Sequence, residues 1–151
     1  RSNYSKKHFF FFFIALEKLT SEEENSKTRS DAVILLNSMQ SFSFICYLNL
    51  WEPVLLEIND TQKYLQTKGL NVHQCHIKLN SLQTHFIEQR DVLIQNAVIA
   101  AKTICEKLEI STERRVRRRK KMSGENSRDV GLSLEQELRR EMFLSMDRII
   151  K

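Results

Sequence analysis

Seven of the eight positions from Arg114 to Lys121 are cations: Arg114, Arg115, Arg117, Arg118, Arg119, Lys120 and Lys121. Guanidinium and ammonium groups at that density repel one another, and a polyanion or an acidic receptor relieves the repulsion. The tract therefore points to contact with a phosphate backbone, or to an import signal held by a nuclear import receptor. The plainer alternative is a solvated loop that keeps the chain soluble. Phosphate contact of this kind is blind to base sequence, and no helix with Asn, Gln or Arg set for base edges stands beside the tract. The charge is local. Of the formal +5, residues 113–121 hold seven basic groups and one acidic, while the other seventeen basic and eighteen acidic residues nearly cancel.

The remaining chemistry-bearing groups are sparse. His73, Cys75 and His76 form one local set of soft ligands, but a structural zinc site takes four, usually as two spaced pairs, and the second pair is missing. Cys46, Cys75 and Cys105 are odd in number and contain no CxxC, which fits a reducing compartment better than a disulfide framework. No base and orienting partner are placed beside a cysteine for nucleophilic catalysis. Glu88 with Asp91, and Glu135 with Glu137, lie next to Arg90 and Arg139, and solvated ion pairs account for them better than acid–base work. The three glycines, Gly69, Gly124 and Gly131, are too far apart for a phosphate-cradling loop. The expectation is no catalytic residue, no metal site and no cofactor.

The elements that hold these groups are helical. Three glycines and one proline leave few of the turns that sheets require, and the apolar residues recur at helical spacing. A short aromatic helix is expected over about residues 6–19, followed by a polar linker to residue 30. Asp31 is a plausible N-cap for a second helix, with Ala32, Leu35, Met39, Phe42, Cys46 and Leu50 on its inner face and further apolar residues nearly all round. Pro53 predicts a break near Trp51. Val54, Leu55, Ile58, Gln62 and Leu65 mark the next face, and Gly69 a left-handed cap. Asn71 caps the longest element, 71–108, whose stripe runs Val72, Cys75, Leu79, Leu82, Phe86, Leu93, Ala97, Ala100, Ile104, Leu108. A mobile basic loop occupies 110–132. Ser133 and Gln136 then make a capping box for a last helix, 133–151, with Leu134, Leu138, Met142, Met146 and Ile149 inward. The fold class is all-α: residues 1–30 an aromatic helix and linker, 31–109 a helical bundle, then the loop and the final helix.

The apolar run Phe9–Leu16 covers eight residues where a bilayer span needs roughly 20, and it lacks a small-residue cleavage site. It fits a buried or partner-facing helix rather than a membrane segment. The sequon Asn59-Asp60-Thr61 falls inside an expected helix. Arg1 in place of Met reads as a fragment or processed piece.

The string from Leu50 to Asn59 (LWEPVLLEIN), then Tyr64-Leu65-Gln66, Cys105-Glu106-Lys107, Arg114–Lys121, Arg140-Glu141-Met142-Phe143 and Asp147-Arg148-Ile149, resembles the helical region of hAT-superfamily transposase derivatives, in particular the zinc finger MYM-type protein 1-like group. Phe9–Phe13 and Thr28–Val33 resemble the preceding blocks more weakly. The resemblance implies an all-helical insertion that interrupts an RNase H-like core, whose two aspartates and glutamate hold divalent metal for strand transfer. No position in this chain matches those acids. The family's Arg-Trp pair is also incomplete, since Thr28-Arg29 runs directly into Ser30-Asp31, and Trp51 belongs to another block. The family's zinc finger and dimerisation segment are missing as well. The resemblance thus leads to the expectation of a non-catalytic nuclear fragment that associates with DNA or with itself. The competing expectation is a helical protein–protein scaffold whose basic tract serves only for import.

Overall fold

The computed structural model describes residues 3–21, 25–113 and 132–151, and side chains from residue 11 onward. The described residues form five helices and no strand: α1 (Asn3–Leu19), α2 (Ser26–Met39), α3 (Phe42–Leu65), α4 (Val72–Lys107) and α5 (Leu134–Ile150). The all-α class with one long helix is thus what the chain adopts. No single described helix is long and apolar enough to cross a membrane.

The main core lies among α3, α4 and α5. Ile45, Cys46, Leu50 and Val54 of α3 meet Phe86, Ile94, Ala97, Val98, Ala101 and Cys105 of α4, and Leu138, Met142 and Met146 of α5 close the third side. A smaller cluster of Leu16, Ala32 and Met39, with Leu36 at its edge, joins α1 to α2.

Local signals set most helix ends. The Asn71 side chain accepts from Gln74 N at 2.8 Å while Gln74 Oε1 accepts from Asn71 N at 3.2 Å, so two orphan donors of α4 are satisfied reciprocally. Ser133 and Gln136 do the same for α5. The far end of α4 closes as a Schellman turn: Glu109 takes a left-handed φ of 54°, and Ile110 N donates back to Cys105 O at 2.9 Å. That return folds Ile110 onto the main core instead of leaving it in the loop expected from residue 110.

Several expectations are corrected. The second helix starts at Ser26, with Asn25 rather than Asp31 as its cap, and it ends at Met39. The break lies at Gln40–Ser41, where Ser41 Oγ donates to Ser38 O at 2.7 Å and accepts from Phe44 N, and α2 meets α3 at 71°. Pro53 sits inside α3 and does not end it. A mid-helix proline costs about 3 kcal/mol. Fully buried Leu50 and Val54 hold the helix on either side of it.

Because the axis turns at Ser41, Leu35 is left exposed together with Val33 and Ile34, so α2 is not buried all round. On α3, Thr61 is buried where Gln62 was expected, and Leu55 is exposed. Gly69 does take a left-handed φ of 86°, but in the turn beyond α3, whose C-cap is Gln66. On α4 the buried line is Ile94, Ala97, Val98, Ala101 and Cys105, while Leu93, Ala100 and Ile104 stand at its edge and Val72 and Leu79 are exposed.

Candidate nucleic-acid interface

Arg114, Arg115, Arg117, Arg118, Arg119, Lys120 and Lys121 lie outside the described residues, so the interface is built from what flanks them. On one side the chain leaves α4 through the Glu109 turn, and Ser111 Oγ accepts from Glu113 N at 3.3 Å. On the other it re-enters at Leu132 and the Ser133 cap of α5. The two flanks meet. Leu108, Ile110 and Glu113 from one side and Leu134 from the other line a single cleft of about 450 Å³, which Gln40 to Ser43 at the start of α3 complete. The described residues on either side of 114–131 therefore stand at one end of the three-helix bundle.

A polar ladder between α4 and α5 fixes that geometry. Gln83 Nε2 donates to Ile150 O at 2.7 Å, and Arg90 Nη2 donates to Asp147 Oδ2 at 3.0 Å with Nε 3.0 Å from Oδ1. Arg139 Nη1 donates to Gln95 Oε1 at 2.6 Å, and Lys102 Nζ reaches Glu135 Oε2 at 2.7 Å. Numbers rise along α4 as they fall along α5, which makes the pair antiparallel and places the cap of α5 beside the last turns of α4. The Arg90 guanidinium also lies 4.7 Å from the Phe143 ring centre, a cation–π contact that orients the fork. From α3, Tyr47 OH donates to Glu141 Oε2 at 3.1 Å.

Charge follows geometry. The Lys102 hydrogen bond, opposed by partial burial and reinforced by Arg139, holds the Glu135 carboxyl below its ordinary range. Burial, with smaller contributions from Cys105 and Glu135, pushes the Cys46 thiol up to about 12, and burial raises Cys105 as well. Both thiols are thus the unreactive kind, neutral at physiological pH.

The other candidates do not assemble. His73, Cys75 and His76 lie on the first turns of α4, where His76 Nε2 is 3.0 Å from Asn80 Nδ2. Among the described residues no three His, Cys, Asp or Glu side chains gather where a metal ion could sit. Arg90 turns to Asp147 on another helix, so the neighbouring Glu88 and Asp91 are not its partners. Glu135 and Arg139 do pair, at 2.9 Å. Glu52 Oε1 and Thr61 Oγ1 are buried without a partner. Nine residues apart on one helix, they face opposite ways and form no common site. Thr61 is 3% exposed, so the sequon it closes is folded into α3.

The cross-helix members of the ladder were not visible in the sequence. Only Glu135–Arg139 carries a local i,i+4 signal. Gln83, Arg90, Gln95 and Lys102 acquire partners only once the register of α5 is known. No family model, curated protein or solved structure matches the chain.

Proposed function

We propose that this chain is a non-catalytic, nuclear helical module, derived from the helical region of an hAT-like transposase, that offers a basic loop to the phosphate backbone of nucleic acid. The observation that carries this reading is the convergence of Leu108 and Ile110 with Leu134 on one cleft. A loop tethered at both ends on a rigid base loses less freedom on binding than a free tail, so its cations meet phosphates at a smaller entropic cost. Outside residues 113–121 the seventeen basic and eighteen acidic residues nearly cancel, so the excess of positive charge belongs to the tract. The ancestry rests on the sequence resemblance of its blocks. Of those blocks, residues 50–59 lie in α3, 105–107 in the last turn of α4, and 140–143 with 147–149 in α5.

The test compares the full chain with a variant carrying Gln at Arg114, Arg115, Arg117, Arg118 and Arg119, by fluorescence anisotropy on short duplex and single-stranded DNA. Binding by the parent and its loss in the variant, with helical content unchanged, is the expected result. Equal binding by both proteins, or none by either at low salt, overturns the reading.

A second reading is favoured by a different observation. Val33, Ile34 and Leu35 present apolar surface on three successive residues of α2. In that reading the chain is a protein–protein scaffold and an import receptor is the partner of the tract. The five-glutamine variant then leaves DNA affinity unaltered but fails to accumulate in nuclei.

A further inference from the structure

From Thr61 to Ile87 the chain has no Asp or Glu, while Lys63, Lys68, Lys78 and three histidines fall in the same stretch. Its polar side chains are ammonium, amide, hydroxyl and imidazole groups, with no acceptor-only carboxylate among them. The fold gathers the three lysines in one place. Lys63 lies in the last turn of α3, Lys68 in the connection beyond it and Lys78 in the second turn of α4. All three are thus within about 10 Å of that connection along the helix axes. Lys78 Nζ stands 5.9 Å from the centre of the Tyr64 ring, which ties α4 to α3 at this tip. Lys63 and Lys68 are exposed and Lys78 is half-buried. Asp60 lies 3.6 Å from Lys63, an exposed pair that contributes little and yields to a stronger anion. The first turn of α4 holds no acid to oppose its positive end.

We infer that the α3–α4 tip is a second contact for the phosphate backbone of a DNA duplex whose first contact is the basic tract. The inference rests on the DNA reading for that first contact. Complementarity selects the occupant. A phosphate backbone presents negative charge and acceptors, and cations set among amide, hydroxyl and imidazole donors are the groups that take phosphate and sugar oxygens. An anionic bilayer draws on lysines too, but with a broad apolar face beside them. Here Gln62, Gln66, Thr67, His73 and Gln74 are polar and exposed, and Val72 alone among residues 66–74 is an exposed large hydrophobe. Geometry sets the size of the ligand. The cleft beside the tract is reached at Leu108, and α4 runs 36 residues from the tip towards it, about 54 Å. At about 3.4 Å per base pair, that distance matches roughly 16 base pairs. The two ends are several Debye lengths apart, about 8 Å each at physiological salt, so the tip acts as a second tethered contact and not by strengthening the tract. About three phosphates neutralised at the tip are too few to hold DNA without the tract.

The test is fluorescence anisotropy of the full chain on duplexes of about 12 and about 30 base pairs, shorter and longer than that span. It includes Lys63→Gln/Lys68→Gln/Lys78→Gln, the charge-preserving Lys63→Arg/Lys68→Arg/Lys78→Arg, and the five-glutamine tract variant. The parent and the lysine-to-glutamine variant are expected to bind the short duplex alike. On the long duplex the parent is expected to bind about tenfold more tightly than that variant. Its plot of log affinity against log salt should also be steeper there by between about 2 and 3. The arginine version is expected to match the parent, the tract variant to hold neither duplex, and helical content by circular dichroism to stay the same throughout. Equal affinity of parent and lysine-to-glutamine variant for both lengths overturns this inference and leaves the tract reading intact. Weakening of the short duplex to the same extent as the long one overturns it as well, because the tip is then no separate contact. A parent that binds neither duplex overturns both readings. Binding to vesicles of phosphatidylcholine and phosphatidylserine that the lysine-to-glutamine variant loses, with DNA affinity unchanged, assigns the tip to lipid and overturns it too.

Discussion

Single side chains at the ends and seams of α4 carry consequences that can be measured one at a time. Glu109 holds a left-handed φ of 54° in the Schellman turn, a conformation that costs a residue with a Cβ about 1 kcal/mol and a glycine nothing. Glu109→Gly is therefore expected to stabilise the protein by roughly that amount in urea unfolding, and a destabilisation would show that the carboxylate is making a contact of its own. Cys46 and Cys105 are wholly buried and Cys75 is partly exposed. A thiol reagent at pH 8 should label one cysteine per chain rapidly and the other two only on unfolding. Rapid labelling of all three would mean that the α3–α4 seam opens readily.

Glu135 has a carboxyl pKa lowered in the fold, chiefly by Lys102. Its contribution to stability is present above the unfolded-state pKa, near 4.5, and disappears as pH falls through the lower folded value. Removing the carboxylate with Glu135→Gln should flatten that acid limb. An identical acid limb in parent and variant would place the titration elsewhere.

At the scale of helices, the two capping boxes read true because each is completed within four residues. Asn71 with Gln74 and Ser133 with Gln136 each need only their own turn, and both caps form as expected. Local signals also misled where two competed, as at Asp31, which gives way to Asn25 as the cap of α2, and at Gly69, which lies beyond the Gln66 cap of α3. Other misread features depend on distant partners. Pro53 looks like a terminator until Leu50 and Val54 are seen buried against α4, and Ser41 looks like one more polar residue until α2 turns away from α3. The expected stripe on α4 drifts for a related reason. Over 36 residues a line drawn at three and four steps slides around the cylinder. Contact with two helices centres the buried face between Leu93 and Val98 instead of on the drawn line.

The cleft between the ends of α4 and α5 rests on α5, which docks through Leu138, Met142 and Met146. Met142→Ala removes a side chain with no solvent exposure and should cost about 2–5 kcal/mol. Ser133→Ala should cost about 1 kcal/mol through loss of the cap. A change well under 0.5 kcal/mol for Met142→Ala in denaturant unfolding would mean that α5 is not held in the core.

Across the whole molecule two features stand apart, a three-helix bundle that brings the described residues on both sides of the basic tract to one cleft and a small-cored pair of helices, α1 and α2, with exposed apolar residues. The bundle was legible from composition and periodicity, because scarce glycine and proline leave a chain little but helices. The shared cleft was not, since it arises from the antiparallel meeting of Arg90, Gln95 and Lys102 with Asp147, Arg139 and Glu135. The basic tract was fully legible as a concentration of charge, and its tethering at one end of the bundle was not.

The most direct measurement is the salt dependence of affinity for a short duplex, plotted as log binding constant against log salt concentration. Each phosphate neutralised contributes a slope of about −0.9, so a loop engaging most of its seven cations gives a slope between about −4 and −6. That range is expected for the parent, and a slope near zero, with little residual binding, when the five arginines are glutamine. A flat salt dependence, or a steep one that the glutamine variant retains, would contradict phosphate contact by the tract.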